Sequence, residues 1–134
     1  MPSKSVLIVD DDCAVSKLVR YNLAAEGLTV LSADDGLEGV EMAFEHRPNL
    51  VVLDIHMPKL NGWEVLWQLR NDSRTANTPI IMLTVQGDED SVTEGWTRGV
   101  DCYLPKPFDI GELVMMVKRL LEVAAEEALT VGLD

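Results

Sequence analysis

The stretch LVVLDIHMP, residues 50–58, decides the fold. Its first four residues are apolar, and the fifth, Asp54, carries a carboxylate. An unbroken apolar run of this length is typical of a strand that is covered on both faces, as strands of parallel sheets are. In open α/β sheets, ligands bind beyond the carboxyl ends of the strands. The stretch therefore predicts a buried parallel strand that ends at a candidate site.

Four more apolar runs occur along the chain, and a segment of helix length follows each run. The five predicted strands are residues 6–9, 28–31, 50–53, 80–83 and 102–104. The five predicted helices open near Asp12, Asp35, Asn61, Asp88 and Asp109. Strands that alternate with helices pair in parallel through right-handed crossovers. The pattern predicts an α/β protein with one doubly wound parallel sheet and helices on both of its faces.

Polar residues follow four of the five predicted strands. They are Asp10 and Asp11 after the first strand, Asp54 after the third, Thr84 after the fourth and Lys106 shortly after the fifth. Because the carboxyl ends of parallel strands meet at one edge of a sheet, we expect these side chains to converge. A single polar residue is typical of a solvated strand end, so it is the joint pattern that indicates a site.

Three carboxylates at close range repel one another, so the predicted cluster needs cations. Lys106 supplies one fixed positive charge. An all-oxygen site with few protein ligands suits Mg²⁺, which keeps several of its waters. A carboxylate beside Mg²⁺, an ammonium group and a hydroxyl is suited to nucleophilic attack on a phosphoryl group. The residues therefore predict an acyl phosphate on an aspartate.

Four motifs resemble the receiver domain of two-component response regulators, of the kind found in chemotaxis response regulators. They are VLIVDDD (6–12), PNLVVLDIHMPKLNGWEVL (48–66), PIIMLT (79–84) and GVDCYLPKPF (99–108). The match runs from about residue 6 to residue 121, in the order and spacing of the family. The resemblance implies a flavodoxin-like (βα)5 fold with strand order 2-1-3-4-5. It also implies a single receiver domain over residues 1–134, with a core of about 5–124 and a short tail, 125–134.

The resemblance assigns roles at the acidic cluster. Asp54 would accept a phosphoryl group from a sensor histidine kinase or a phosphotransfer protein. Mg²⁺ would be held by the side chains of Asp11 and Asp54 and by the backbone carbonyl of His56, with Asp10 acting mainly through water. The domain would catalyse its own phosphorylation and dephosphorylation without being an enzyme for a free substrate.

The resemblance also assigns roles around the cluster. Thr84 and Lys106 would bind the phosphoryl oxygens, and a cis peptide bond before Pro107 would aim Lys106 inward. Thr84 and Tyr103 would form the switch that passes the phosphorylation state to a downstream protein or an output domain. The kinase would contact the first helix, residues 13–20, and the loop after Lys106.

The chain has 134 residues, which fits one domain, and a formal net charge of −12. This acidity argues against direct contact with nucleic acid, which needs a basic face. The apolar runs are shorter than the roughly 20 residues that span a bilayer. The two cysteines form no disulfide framework. We therefore expect a cytoplasmic protein without membrane contact.

Two departures from the family bear on regulation. Val85 stands where receivers usually carry a small residue, and with His56 and Gln86 it flanks the route of an attacking water, which predicts a long-lived acyl phosphate. Met116 and Cys102 stand where receivers of winged-helix transcription factors usually place an arginine and an acid. Without that ion pair, we expect a monomer or a weak, phosphorylation-dependent dimer.

Two other functions fit part of the pattern. A Mg²⁺-dependent phosphohydrolase that passes through an aspartyl phosphate would share the acidic cluster. Such enzymes typically carry a second acid two residues after the nucleophile, where this chain has His56, and they use a cap domain. An interaction module that works without phosphate is the other alternative, and the complete set of site residues argues against it.

Overall fold

A computed structural model of the chain describes residues 3–85 and 99–133, with side chains described as far as residue 127. Its five strands are β1 (Ser5–Val9), β2 (Thr29–Ala33), β3 (Leu50–Asp54), β4 (Ile80–Thr84) and β5 (Cys102–Pro105). The helices of the described ranges are α1 (Cys13–Ala24), α2 (Gly36–His46), α3 (Gly62–Arg70) and α4 (Ile110–Leu133). The helix predicted to open near Asp88 lies outside the described residues.

All strand pairs are parallel, and the sheet order is β2-β1-β3-β4-β5. Consecutive residues of β3 face opposite sides of the sheet. Val51 and Leu53 pack with α2 and α3, whereas Leu50 and Val52 pack with α1 and α4. All four side chains are fully buried. The doubly wound sheet and its strand order are therefore confirmed, and coverage of both faces explains why these strands lack polar alternation.

Capping residues start three helices shortly after the strand ends. The Asp12 carboxylate accepts hydrogen bonds from the first turn of α1, and Asp35 accepts one from the N–H of Glu38 in α2. Asn61 and Glu64 form a reciprocal capping box at the start of α3. These bonds satisfy N–H groups that have no partner within the helix. They also fix where the chain turns at the edge of the sheet that carries the site.

Each strand differs from its predicted range by one or two residues at one end or both, and the end of the last helix differs by more. The sequence indicates an end of the last helix near residue 124, but α4 continues to Leu133. Leu121 is the last buried residue of the stripe among the side chains described, which end at residue 127, and the residues beyond Leu121 are mostly good helix formers. β2 extends to Ala33, which pairs with Val9 and is fully buried, so pairing with β1 sets its end.

In the described ranges, none of the helices combines the length and the apolarity that crossing a membrane requires.

Candidate functional site

Three carboxylates meet at the carboxyl ends of β1 and β3. These strands are paired, with Val9 opposite Leu53, so the residues that follow β1 lie beside the end of β3. One carboxylate oxygen each from Asp10, Asp11 and Asp54 lies within 4.8 Å of the others. Asp10 and Asp54 are buried, whereas Asp11 is exposed. The predicted convergence of these three acids is what the structure shows.

Lys106 reaches this cluster from the loop after β5. Its ammonium nitrogen lies 2.9 Å from Oδ2 of Asp10 and 3.6 Å from Oδ2 of Asp54. The backbone N–H of Lys106 donates to the carbonyl of Thr84 at 2.6 Å, which ties the loop to the end of β4. The peptide bond between Lys106 and Pro107 is cis, as the family resemblance implies. One positive charge thus faces three negative ones.

The remaining predicted residues lie along the same edge or beside it. Thr84 is the last residue of β4 and is buried, and the residue before it pairs with Asp54. His56 is exposed, and its backbone N–H donates to the Asp54 carboxylate. Tyr103 lies in β5 opposite Met82 and packs on the side of the sheet that α2 and α3 cover, with its hydroxyl buried. Gln86 lies outside the described residues.

The electrostatics of the site indicate an excess of negative charge. Burial, followed by the charge of Asp10, raises the pKa of Asp54 to about 6, although Lys106 and the N–H of His56 act in the opposite direction. Burial alone would lower the pKa of Lys106, but its hydrogen bond to Asp10 and the two nearby carboxylates raise it. The ammonium group is therefore charged at neutral pH, yet it leaves the carboxylates only partly neutralised.

The donor set fits a hard divalent cation such as Mg²⁺, which prefers carboxylate and carbonyl oxygens and keeps several waters. The three acids differ in availability. Asp10 accepts the N–H of Asp12 at Oδ1 and the ammonium of Lys106 at Oδ2, so both of its oxygens are engaged. Asp11 is exposed to solvent. The predicted division of roles, in which Asp10 acts mainly through water, stays a prediction.

Sequence reasoning missed the residues that hold the loop after Asp54. The N–H of Gly62 donates to the carbonyl of Ile55 at 2.7 Å, and a Cβ on Gly62 would lie 2.5 Å from the carbonyl oxygen of Asp54. Lys59, in the middle of this loop, has a φ of 70° and forms an ion pair with Asp35. The Asn61-Gly62 pair is a local signal of the turn into α3, whereas the contact of Lys59 depends on tertiary structure.

Two shallow grooves lie along α1, and one of them reaches Lys106 at the acidic cluster. One, of about 390 Å³, is lined by Asp12, Val15, Leu18, Lys106, Pro107 and Phe108. The other, of about 550 Å³, is lined by Lys17, Arg20, Tyr21, Ala24 and Ala25. Leu18 and Tyr21 are 45% and 77% exposed, so α1 presents two large side chains with apolar surface to solvent. We call the residues that line these two grooves the α1 surface; it includes Lys106 near the start of the helix and Ala24 and Ala25 at its end.

Comparisons with known proteins point to one family. The family model described as the response regulator receiver domain matches residues 6–118. The DNA-binding dual master transcriptional regulator RpaA of Synechocystis sp. is 43% identical over 116 residues, which cover 87% of this chain and 48% of that protein. The chain spans about half the length of the curated relatives it matches.

Solved structures of receiver proteins are similar over nearly the whole chain. The receiver domain of the Francisella response regulator 1452 has a TM-score of 0.83 and 31% identity, covering 91% of this chain and 99% of that one. The chemotaxis response regulator CheY4 of Vibrio cholerae also has a TM-score of 0.83 and 31% identity, covering 89% and 99% of the two chains. The family match over residues 6–118 includes Asp10, Asp11, Asp54 and Lys106.

Proposed function

This chain belongs to the response regulator receiver domain family of two-component signalling, and from that premise we propose that Asp54 is its phosphoryl acceptor. The donor would be a histidine kinase or a phosphotransfer protein, and phosphorylation would change how the chain contacts a downstream protein or an output domain. The observation that carries this proposal is the setting of Asp54. Its carboxylate is buried at a strand end, beside two other acids and 3.6 Å from the Lys106 ammonium.

The proposed reaction is an in-line displacement at phosphorus. A carboxylate oxygen of Asp54 forms the new O–P bond, and the P–N bond to the donor histidine breaks, with its electron pair returning to the imidazole. Lys106 would meet the charge on the transferring oxygens, since its ammonium already lies between Asp10 and Asp54. The Thr84 hydroxyl would bind another phosphoryl oxygen. The position of Thr84 at the end of β4, next to the strand of Asp54, supports this role.

We assign the Mg²⁺ site to the same cluster. Asp11, Asp54 and the backbone carbonyl of His56 would hold the ion, and Asp10 would act mainly through water. When bound, Mg²⁺ supplies positive charge next to the phosphoryl oxygens and offsets repulsion among the carboxylates. The raised pKa of Asp54, caused first by burial and then by Asp10, supports a site that needs this charge. Receiver domains generally bind Mg²⁺ at such an acidic pocket.

We propose Thr84 and Tyr103 as the switch. A phosphoryl group on Asp54 would attract the Thr84 hydroxyl, and the side chain of Tyr103 would move in response. Tyr103 lies on β5, the strand next to β4, and its ring is only half-buried. A partner that binds one ring position better than the other would shift the equilibrium between them.

The α1 surface is the proposed docking site of the phosphoryl donor. Receiver domains interact with histidine kinases and output domains, and this surface ends at Lys106 beside the acceptor. Asp12 lines the groove beside Lys106, but residues 13–25 contain no acid although the whole chain carries a charge of −12. Lys17 and Arg20 flank the exposed Leu18 and Tyr21. This combination suits a helical partner with an apolar stripe and acidic flanks.

We further propose a cytoplasmic location, no direct contact with nucleic acid, and a single receiver unit. Both cysteines, Cys13 and Cys102, are free thiols, which supports a cytoplasmic location. The negative charge supports an absence of direct contact between this domain and nucleic acid. We propose that residues 1–134 act as one receiver unit, monomeric or weakly dimeric after phosphorylation.

Intact-mass spectrometry after incubation with acetyl phosphate and Mg²⁺ tests the proposed function. We expect one phosphoryl adduct on the unsubstituted chain, none on Asp54→Ala, and none when EDTA removes the metal. Asp72→Asn is the matched control, because Asp72 is a carboxylate that pairs with Arg74 outside the site, and it should form the adduct normally. Bound Mg²⁺ without any adduct would favour an interaction module, and steady release of phosphate from phosphomonoesters would favour a phosphohydrolase.

A further inference from the structure

The loop between Asp54 and α3 rests on the N-terminal end of α2. We propose that Lys59 and Asp35 are positioning residues for the metal and phosphoryl site, because their ion pair fastens this loop in place. The inference rests on the proposed function and adds to it two residues that touch neither the metal nor the phosphoryl group. It makes the start of α2 a structural support of the site.

The ion pair joins the loop to the capping residue of α2. Nζ of Lys59 lies 3.3 Å from Oδ2 of Asp35. The other carboxylate oxygen, Oδ1, accepts the N–H of Glu38 at 2.8 Å, so the carboxylate is held by the helix. That N–H, and more weakly Lys59, lowers the pKa of Asp35, and the carboxylate therefore stays charged at neutral pH. The Asp35 side chain is 16% exposed, which gives the Lys59 ammonium a fixed partner.

The backbone of Lys59 shows why the loop needs this support. Its φ is 70°, in the left-handed region that residues with a Cβ seldom adopt. Glycine would adopt this conformation without strain. Non-glycine residues persist there only where surrounding contacts hold them, and such positions cluster at functional sites. The pair with Asp35 is a contact of this kind.

A second contact brings the two backbones together. A Cβ built on Gly36, the first residue of α2, would lie 2.0 Å from the carbonyl oxygen of Leu60. The loop therefore passes directly over the helix start, and only a residue without a side chain fits beneath it. Gly36 and the Lys59–Asp35 pair hold neighbouring points of the same loop.

The position of the loop matters because the loop begins at His56. The N–H of His56 donates to the Asp54 carboxylate, and its carbonyl is the proposed metal ligand. At the far end, the N–H of Gly62 donates to the carbonyl of Ile55 at 2.7 Å. The base of the loop is thus closed, and its tip is fastened to α2. If the tip is released, the carbonyl of His56 spends less time in the position that binds the metal, which lowers the apparent affinity.

Titration calorimetry with Mg²⁺ alone separates positioning from simple electrostatics. Lys59→Ala removes a positive charge near the site, so electrostatics alone predicts tighter Mg²⁺ binding. Asp35→Asn removes a negative charge, so electrostatics alone predicts weaker binding, and asparagine preserves the helix cap. Loss of positioning predicts weaker Mg²⁺ binding in both variants. We expect the affinity to fall by about two- to fivefold, because an exposed ion pair contributes only modestly to stability. Because both substitutions break the same ion pair, their effects on Mg²⁺ affinity should not add in the double variant.

Lys118→Ala is the matched control, since it removes a lysine whose ion pair with Glu26 is similarly exposed. It should leave the Mg²⁺ affinity unchanged. Amide hydrogen exchange without metal gives a second readout, and exchange of residues 56–61 should be faster in Lys59→Ala and Asp35→Asn than in the control. Tighter binding by Lys59→Ala, or unchanged affinity in both variants, would overturn the inference. If the unsubstituted chain bound no Mg²⁺, the proposed function would fail, and the exchange rates would still decide whether the pair holds the loop.

Discussion

The ammonium nitrogen of Lys106 lies 2.9 Å from a carboxylate oxygen of Asp10, joining the loop after the last strand to the end of the first. The Asp10 side chain is fully buried and that of Lys106 is 20% exposed. A buried carboxylate without a cation is costly, so this contact balances charge as well as linking distant parts of the chain. It also places the ammonium group within reach of Asp54.

Replacing Lys106 with methionine keeps an unbranched side chain but removes its charge. We expect a loss of about 2–4 kcal/mol in the free energy of unfolding at pH 7, because two buried carboxylates lose their cation. Urea unfolding in EDTA measures this loss, and added Mg²⁺ should recover part of it. Lys118→Ala, which breaks an exposed pair with Glu26, should cost less than about 1 kcal/mol. Equal losses in the two variants would contradict a special role for Lys106.

The raised pKa of Asp54 predicts an unusual dependence of stability on pH. The pKa is about 6 in the folded state, against 3.8 for the ordinary group. Between these values the folded chain binds more protons than the unfolded chain, so the free energy of unfolding falls as pH rises from about 4 to about 6. Above this pH range, the ionised Asp54 lowers the free energy of unfolding by at most about 3 kcal/mol. Below this pH range, Asp54 is protonated and the free energy of unfolding is not lowered.

Asp54→Asn tests this dependence directly. In EDTA we expect the variant to be about 1–3 kcal/mol more stable than the unsubstituted chain at pH 7, and the difference to vanish near pH 4. Urea unfolding at both pH values provides the comparison. Mg²⁺ should stabilise the unsubstituted chain more than the variant. A variant that is less stable at pH 7 would show that the Asp54 charge is already compensated within the protein.

Arg70 is predicted to stabilise the opposite edge of the sheet. Its guanidinium donates to the carbonyls of Thr75, Ala76, Thr78 and Gly99 and pairs with Asp101. Lysine cannot reproduce this planar set of donors. We expect Arg70→Lys to lower the free energy of unfolding by about 2–3 kcal/mol in urea. Arg74 is exposed, and Arg74→Lys should lower the free energy of unfolding by less than about 1 kcal/mol. An Arg70→Lys variant as stable as the unsubstituted chain would refute the prediction.

Substitutions on α1 should separate docking from chemistry. Tyr21→Ala removes the most exposed apolar side chain of the helix, and Lys17→Glu reverses one of its charges. The donor in this test is a histidine kinase that phosphorylates the unsubstituted chain. We expect each substitution to slow phosphotransfer from this kinase by about tenfold, which is the effect of losing an interface hot spot. The rate with acetyl phosphate, measured in parallel, should not change. Equal slowing with both donors would place the defect in the site or the fold instead.

Val85 is predicted to prolong the life of the acyl phosphate. Its side chain is 38% exposed and directly follows Thr84. A smaller residue would open the path of the attacking water, so Val85→Ala should lose its phosphoryl group faster than the unsubstituted chain. The decay of the phosphorylated mass after removal of acetyl phosphate measures both rates. If Val85→Ala lost its phosphoryl group at the same rate as the unsubstituted chain, the hypothesis would be wrong.

Periodicity and strand-end chemistry predicted the parts of this protein that depend on short stretches of sequence. The run that ends at Asp54 indicated a buried parallel strand, and topology alone then brought Asp10 and Lys106 to the same edge. The end of α4 was predicted too early, because an apolar stripe reports core contacts and not helix length. Among the side chains described, as far as residue 127, Leu121 is the last buried one of the stripe, but the helix continues to Leu133.

Contacts between side chains and distant backbone groups could not be predicted in this way. The Asp101 carboxylate pairs with Arg70 and accepts the N–H of Ile80, and neither contact is indicated by a local sequence pattern. A backbone carbonyl acceptor cannot be identified from the residue type, since every residue has a carbonyl. The pair of Lys59 and Asp35 likewise depends on how α2 and the loop after β3 meet. Such contacts require the packed structure.

The central claim is that Asp54 receives the phosphoryl group, and chemical mapping of the adduct tests it most directly. The chain is incubated with acetyl phosphate and Mg²⁺, treated with borohydride, which reduces an acyl phosphate to an alcohol, and sequenced by tandem mass spectrometry. We expect homoserine at position 54 and unmodified aspartate at Asp10 and Asp11. Reduction at Asp10 or Asp11 with Asp54 intact, or no reduced residue despite bound Mg²⁺, would contradict the account.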